Sequence, residues 1–296
     1  MVIRNRNAGF FSNFNGILNN LHHRLGHGGI EAAVVEWHAD AEQKRFPYGE
    51  PKDGNLWLRF FEPLPFKSFP HDKIEVPTYA DFGMTWLNAY RMYKLDPRWR
   101  RDYHSLYRRF IRIKPAILKR VDALYRAKMS GRYCVGVHYR NPAHSCECPN
   151  PIPSAQASIT RCGRLLPKNR QWAVILATDV EPAVALFQKT FGDALVLQSG
   201  VMRASTLAVD QLHHGPQAPA ISLGEQALFD CLLLARCDVL LHVTSNLATA
   251  VGYINPKLRM IYNETPEQAI ANRYRLDDAA RWALHCERVD RRSSDT

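Results

Sequence analysis

The sequence predicts an α/β fold of parallel strands joined by crossover helices. Three observations carry that reading. Short apolar runs bounded by turn residues alternate with helical stretches along most of the chain. The runs at 133–137, 172–177 and 239–241 are continuously apolar rather than alternating, as strands covered on both faces are. The chain also has 296 residues, 46% of them apolar, enough to bury a core without metals or disulfides and long enough for two domains sharing a cleft. An aromatic content of 10% and a charged content of 23% exclude a globally disordered chain. No apolar run approaches the roughly 20 residues of a membrane-spanning helix.

Taken in order, residues 15–25 place Ile17, Leu18, Leu21 and Leu25 near helical spacing, after a turn at 9–13 where Ser12 or Asn13 would cap the helix. Residues 31–37 read as a strand centred on β-branched Val34 and Val35. The stretch 46–77 carries six prolines and many aromatics, which predicts a long irregular surface insertion. Helix follows over 103–129, with Pro115 at the first turn of a second piece whose apolar face is Ile117, Leu118, Val121 and Leu124, ending at Ser130-Gly131. A strand at 133–137 leads into a polar loop to about residue 170. Then come a strand at 172–177, a helix at 182–191, a strand at 194–197, a helix at 226–236, a strand at 239–242, a helix from about 246 and a last strand at 260–262. No internal repeat, Gly-x-Gly-x-x-Gly or phosphate-loop motif is present.

The formal net charge is +11, and one segment supplies most of it: residues 91–128 hold 13 basic side chains against Asp96, Asp102 and Asp122. Such a patch suits nucleic acid, an anionic membrane surface or a phosphorylated substrate, or is simply a solvated helix face. The seven cysteines, with no secretory leader at the start, suggest free thiols in a reducing cytosol. Cys231 and Cys237 sit in apolar runs and read as core. His144, Cys146, Cys148 and Cys162 have the residue types of a zinc site but the spacing of no common finger.

Ligands of parallel sheets bind at the carboxyl ends of strands. The strand at 133–137 ends in His138-Tyr139-Arg140, that at 172–177 in Thr178-Asp179, and that at 239–242 in Val243-Thr244-Ser245-Asn246, which opens a helix. A guanidinium and a helix start neutralise phosphate, while a carboxylate reads N–H and O–H groups of base or ribose, so the three ends suit a nucleoside diphosphate.

At these residues the chain resembles the GDP-fucose-dependent fucosyltransferases: the α1,6 enzymes, the nodulation-factor enzymes and, more distantly, the protein O-fucosyltransferases. The resemblance spans roughly residues 110–262. It rests on Gly136-Val137-His138-Tyr139-Arg140, on Leu176-Ala177-Thr178-Asp179, and on the stretch from Gly224 through Asp230 and Asp238 to Thr244-Ser245-Asn246. It implies a GT-B type fold, two Rossmann-like domains with parallel sheets facing a cleft. Residues 1–125 would be the acceptor side and 126–296 the nucleotide-sugar side, the terminal helix packing back on the first. It implies an inverting, metal-independent transferase that takes GDP-fucose as donor and needs no cofactor.

Carried residue by residue, the resemblance assigns Arg140 to the β-phosphate, where charge develops on the leaving GDP. His138 and Asp230 would contact guanine, and Ser245 with Thr244 and Asn246 would bond phosphate. Asp179 orients the nucleotide or orders the loop. Inversion needs a base for the acceptor hydroxyl; Glu147, seven residues after Arg140, is the first candidate and His144 the second. The family's second Arg and nearby Asp are replaced here by Asn141-Pro142-Ala143-His144. The turn at Gly9 would face the cleft, and Phe10, Phe11, Trp37 and Trp57 are aromatics able to stack on sugar, core packing being the commoner fate. The expected partners are a nucleotide-sugar and a glycan acceptor on an anionic lipid or polysaccharide, with the protein cytoplasmic or peripheral at a membrane surface. The rival readings are a transferase of another GDP-sugar and a non-catalytic nucleic-acid- or sugar-binding protein.

Overall fold

A parallel pair, β1 (Val2–Arg4) and β2 (Val34–Glu36), opens the chain, with α1 (Phe10–Gly26) crossing between them. The computed structural model describes residues 1–5, 9–26, 29–38, 54–66, 97–142, 152–205 and 220–263. The helix α1 starts earlier than the sequence predicts. Its apolar stripe begins at Phe10, and Asn13 N–H already donates to Gly9 O at 3.1 Å, so Ser12 and Asn13 lie inside the first turns rather than capping them. Residues 54–66, part of the stretch expected as a surface insertion, instead pack into the core around the one-turn α2 (Trp57–Phe60), with Leu56, Trp57, Phe60 and Phe61 buried.

Phe10, Phe11, Phe14, Trp37, Trp57, Phe60 and Phe61 pack edge-to-face and stacked, all at most 5% exposed. Phe10, Phe11, Trp37 and Trp57 are therefore core, and none presents a face to sugar. The cluster continues into the second half of the chain. Gly224 sits against it so closely that a Cβ there would come within 2.7 Å of the Phe60 ring.

Two helices follow, α3 (Pro97–Phe110) and α4 (Pro115–Lys128), where the sequence reading ran one helix to a piece starting at Pro115. Gly131, at φ 77°, closes the second by turning the chain into the main sheet. That sheet has five parallel strands in the order β5-β4-β3-β6-β7: β3 (Tyr133–Tyr139), β4 (Trp172–Thr178), β5 (Leu195–Val196), β6 (Val239–His242) and β7 (Arg259–Tyr262). The order reverses between β3 and β6, which makes that boundary the switch point of a doubly wound sheet.

Crossover helices α6 (Glu181–Phe191), α7 (Ala220–Leu234) and α8 (Asn246–Ile254) connect the strands, and α5 (Ala155–Leu165) fills part of the stretch expected as loop. Its buried side is Ala155, Ser158, Ile159 and Cys162, a helical stripe in which Ser and Ala hide the periodicity, and Ser154 caps it by accepting from Ala157 N–H at 3.2 Å. Gly136 in β3 admits α7: a Cβ there would meet Leu234 at 2.9 Å and Cys237 at 3.0 Å.

The basic segment is not one surface. Arg100 is 7% exposed, its Nη2 donating to Asn255 O and Leu258 O at 2.8 Å, just past the carboxyl end of α8. His104 Nδ1 lies 2.8 Å from Tyr253 O, and Tyr103 stacks on the Tyr253 ring. Burial lowers the Arg100 pKa. Lys114 pairs with Glu62 and Arg120 with Glu225, each at 2.9 Å. The exposed remainder on α3 is Arg98, Arg101, Arg108, Arg109 and neighbouring Arg112.

Candidate functional site

Two of the three predicted strand ends meet at the switch point. The strand β3 delivers His138, 7% exposed, and β6 delivers Ser245, and the His138 Nδ1 to Ser245 Oγ distance is 3.3 Å. The strands run two residues further than expected at β3 because His138 and Tyr139 pair with Ala177 and Thr178 of β4. Arg140 follows the last strand residue directly and is partly buried. Burial pushes the Tyr139 phenol up, with the Asp179 carboxylate adding to the effect.

Ser245 also caps α8. Its backbone is extended (φ −163°) and its Oγ accepts from Ala248 N–H at 3.0 Å. The helix start with its unmet N–H groups thus lies at the carboxyl end of β6, the arrangement that attracts phosphate. Thr244 is held by Tyr262 at the end of β7: the hydroxyls are 2.6 Å apart and Thr244 N–H donates to the phenol oxygen at 3.2 Å. Asn246 is met from the other half of the chain, where the Asn15 amide of α1 donates to its O at 2.9 Å and its Oδ1 at 3.1 Å. Residues of the amino-terminal unit therefore border the same helix start.

Asp179 orders a loop. Its Oδ1 accepts from Asn141 N–H at 3.0 Å, tying the segment after β3 to the end of β4. Asp230 lies on α7, where burial pushes its carboxyl up to about 7 and the Arg203 guanidinium draws it back. The Asp238 carboxylate stands at the opposite edge of the sheet. Its Oδ2 accepts from Cys134 N–H at 2.7 Å and its own N–H donates to Cys134 O at 2.9 Å, so it locks the starts of β3 and β6 together. His144 and Glu147 lie outside the described residues, as do Cys146 and Cys148. Cys162, the remaining member of that group, is fully buried in the core beneath α5. Among the described residues, no group of three His, Cys, Asp or Glu could hold a metal ion, and no helix is long and apolar enough to cross a membrane.

The sequence reading missed Arg203, Gln198, Asn15 and Tyr262. The strand-end rule, applied to three strands, would have reached Gln198 and Tyr262 had it been applied to β5 and β7. His242, closing β6, is fully buried, and burial pushes its imidazole down to about 4, so it is neutral at pH 7.

No protein-family model and no curated protein sequence matches this chain. Solved structures do. The chain is 19% identical to NodZ α-1,6-fucosyltransferase co-crystallised with GDP, with 90% of this chain and 95% of that one covered and a TM-score of 0.58. For NodZ soaked with GDP-fucose the identity is 18%, the coverage 86% and 91%, and the TM-score 0.54. For selenomethionine fucosyltransferase NodZ from Bradyrhizobium the values are 20%, 88% and 93%, and 0.56. The likeness spans nearly the whole of both chains, and the fold is the α/β architecture that the sequence predicts, of the GT-B type that the resemblance implies.

Proposed function

We propose that this protein is an inverting, metal-independent glycosyltransferase that moves a sugar, fucose in the first place, from its GDP donor to a glycan hydroxyl. The observation that carries the reading is the meeting of His138 with the Ser245 cap at the switch point, 3.3 Å apart. It occurs in a chain with the fold of enzymes crystallised with GDP and GDP-fucose.

The roles follow from chemistry. The start of α8, through Ser245, Thr244 and Asn246, takes the diphosphate, because unmet helix N–H groups and hydroxyls neutralise it without a metal. Arg140 lies against the β-phosphate and offsets the charge that grows there as the bond from sugar C1 to the phosphate oxygen breaks. The acceptor oxygen attacks C1 from the opposite face. GDP leaves with the bonding pair, and the acceptor proton passes to the base, for which Glu147 and then His144 are the candidates. Asp230 accepts from guanine N1–H and the amino group, and His138 borders the base. Asp179 acts through the loop it ties down.

In this reading residues 1–125 form the acceptor side and 126–296 the donor side, with Asn15 reaching across to α8. The exposed arginines of α3 favour an acceptor on an anionic lipid or polysaccharide. The reduced thiols of Cys134, Cys162, Cys231 and Cys237 suit a cytoplasmic setting.

Calorimetric titration with GDP, UDP, ADP and CDP tests the reading. GDP binds at least tenfold more tightly than the other three if a carboxylate reads guanine. Equal binding of all four overturns the GDP-sugar donor.

A further inference from the structure

The helix α8 is gripped along its length by the amino-terminal part of the chain. Just past its carboxyl end Arg100 donates to Asn255 O and Leu258 O at 2.8 Å. In its last turn the Tyr253 ring stacks on Tyr103, and the Tyr253 hydroxyl accepts from Trp99 Nε1–H at 3.0 Å. Tyr103 in turn donates to Asn19 Oδ1 of α1 at 2.8 Å. Among the described residues, none of these side chains holds a buried polar atom without a partner.

The contact at the start of α8 is of another kind. Asn15, four residues before Asn19 and so on the same face of α1, is 1% exposed. Its Nδ2 serves a single residue, donating to Asn246 O at 2.9 Å and to Asn246 Oδ1 at 3.1 Å. Its own Oδ1 is buried with no hydrogen-bond partner among the described residues. A buried acceptor left unpaired is costly, and an apolar side chain would fill the same place without that cost. What Asn15 supplies, and an apolar residue could not, is a donor to the Asn246 carboxamide.

That donor fixes which way Asn246 faces. A carboxamide carries an accepting oxygen and a donating NH₂ on opposite branches of one planar group. With Oδ1 turned toward α1, the Asn246 NH₂ is turned away from it, and no described residue takes its hydrogens. Asn246 is also the first residue of α8 after the Ser245 cap, where helix N–H groups are unmet. We propose that Asn15 is a positioning residue for the donor site: it takes the Asn246 carboxamide oxygen, so that the Asn246 NH₂ is left to donate to the diphosphate. The inference rests on the GDP-sugar reading above. Turned the other way round, the amide would set its oxygen against the phosphate oxygens and repel them.

The test is binding of GDP and of guanosine, which lacks the phosphates, by calorimetry for wild type, Asn15→Ala, Asn246→Ala, Asn246→Asp and the double variant Asn15→Ala/Asn246→Ala. Asn246→Ala weakens GDP about tenfold, the worth of one hydrogen bond to a charged group. Asn15→Ala weakens GDP about fivefold, since the amide is then free to turn, and the double variant binds GDP no more weakly than Asn246→Ala alone. Asn246→Asp still accepts from Asn15 but sets a second carboxylate oxygen where the NH₂ stood, so it binds GDP more weakly than Asn246→Ala. Guanosine affinity stays at the wild-type value in all four variants. A wild type that binds GDP no more tightly than guanosine overturns the donor reading and this inference with it. With the wild-type preference for GDP in place, the role of Asn15 alone is overturned if Asn15→Ala leaves GDP affinity unchanged, weakens GDP and guanosine equally, or adds its full loss to that of Asn246→Ala. Should Asn15→Ala not fold, the half-buried Asn246 variants decide: Asn246→Asp binding GDP as well as Asn246→Ala, or better, overturns the inference.

Discussion

The two edges of the five-stranded sheet use similar residues for opposite ends. At the amino edge Asp238 serves the backbone, exchanging two bonds with Cys134 at 2.7 and 2.9 Å, and Arg170 lies 4.3 Å over the Tyr133 ring while reaching Asp238 at 3.9 Å. At the carboxyl edge side chains also meet one another, His138 with Ser245 at 3.3 Å and the Thr244 and Tyr262 hydroxyls at 2.6 Å. Asp230 and Asp238, eight residues apart in one motif, show the contrast within a single segment. One carboxylate is engaged with a strand start, and burial pushes the other up to about 7. A polar group already bonded to backbone contributes to stability, whereas one whose capacity is only partly used is available to a ligand.

Replacing one residue at each edge breaks the comparison most directly if it is wrong. If Arg140 has its proposed role at the leaving group, Arg140→Ala lowers kcat for sugar transfer by about 10²–10³-fold, while the melting temperature moves little. Donor consumption and a thermal melt check both halves of that statement. Asp238→Ala does the reverse. It leaves Cys134 N–H without its acceptor and costs about 1–3 kcal/mol in chemical denaturation, with GDP affinity unchanged. A large loss of GDP binding in Asp238→Ala would show that the motif carries ligand contacts at both of its aspartates.

The parts of this division that were legible in the sequence are those set by local pattern. Buried parallel strands announce themselves as unbroken apolar runs, so β3, β4 and β6 and the polar residues at their ends could be read directly. What could not be read depends on partners distant in sequence. Arg100 looked like part of a surface patch, yet the carbonyls it bonds lie more than 150 residues away. The aromatics near the start became core because Phe60, Phe61 and Gly224 come to them. Gly136 and Gly224, prominent in the family-like motifs, are explained by close packing and not by ligand. The helix α5 was missed because small polar residues occupy its buried stripe, and Arg203 because its partners are the start of α6 and the chain just past β5.

Ser245 gives the finest test, since it belongs to both kinds of edge at once. A hydroxyl has one hydrogen to donate and two lone pairs to accept with. One lone pair is used by Ala248 N–H at 3.0 Å, a purely structural cap, and the His138 contact at 3.3 Å uses one more of the three. A phosphate oxygen accepts, so it would take the O–H, with His138 Nδ1–H donating to the second lone pair. Ser245→Ala therefore lowers stability by about 1 kcal/mol, the ordinary value of a helix cap, and weakens GDP binding several-fold. Ser245→Asn caps as well as Ser, so its stability stays within about 0.5 kcal/mol of wild type while GDP binding still weakens. If Asn restores both stability and GDP affinity, the hydroxyl is only a cap, and the carboxyl edge holds its donor through Arg140 and the helix start alone.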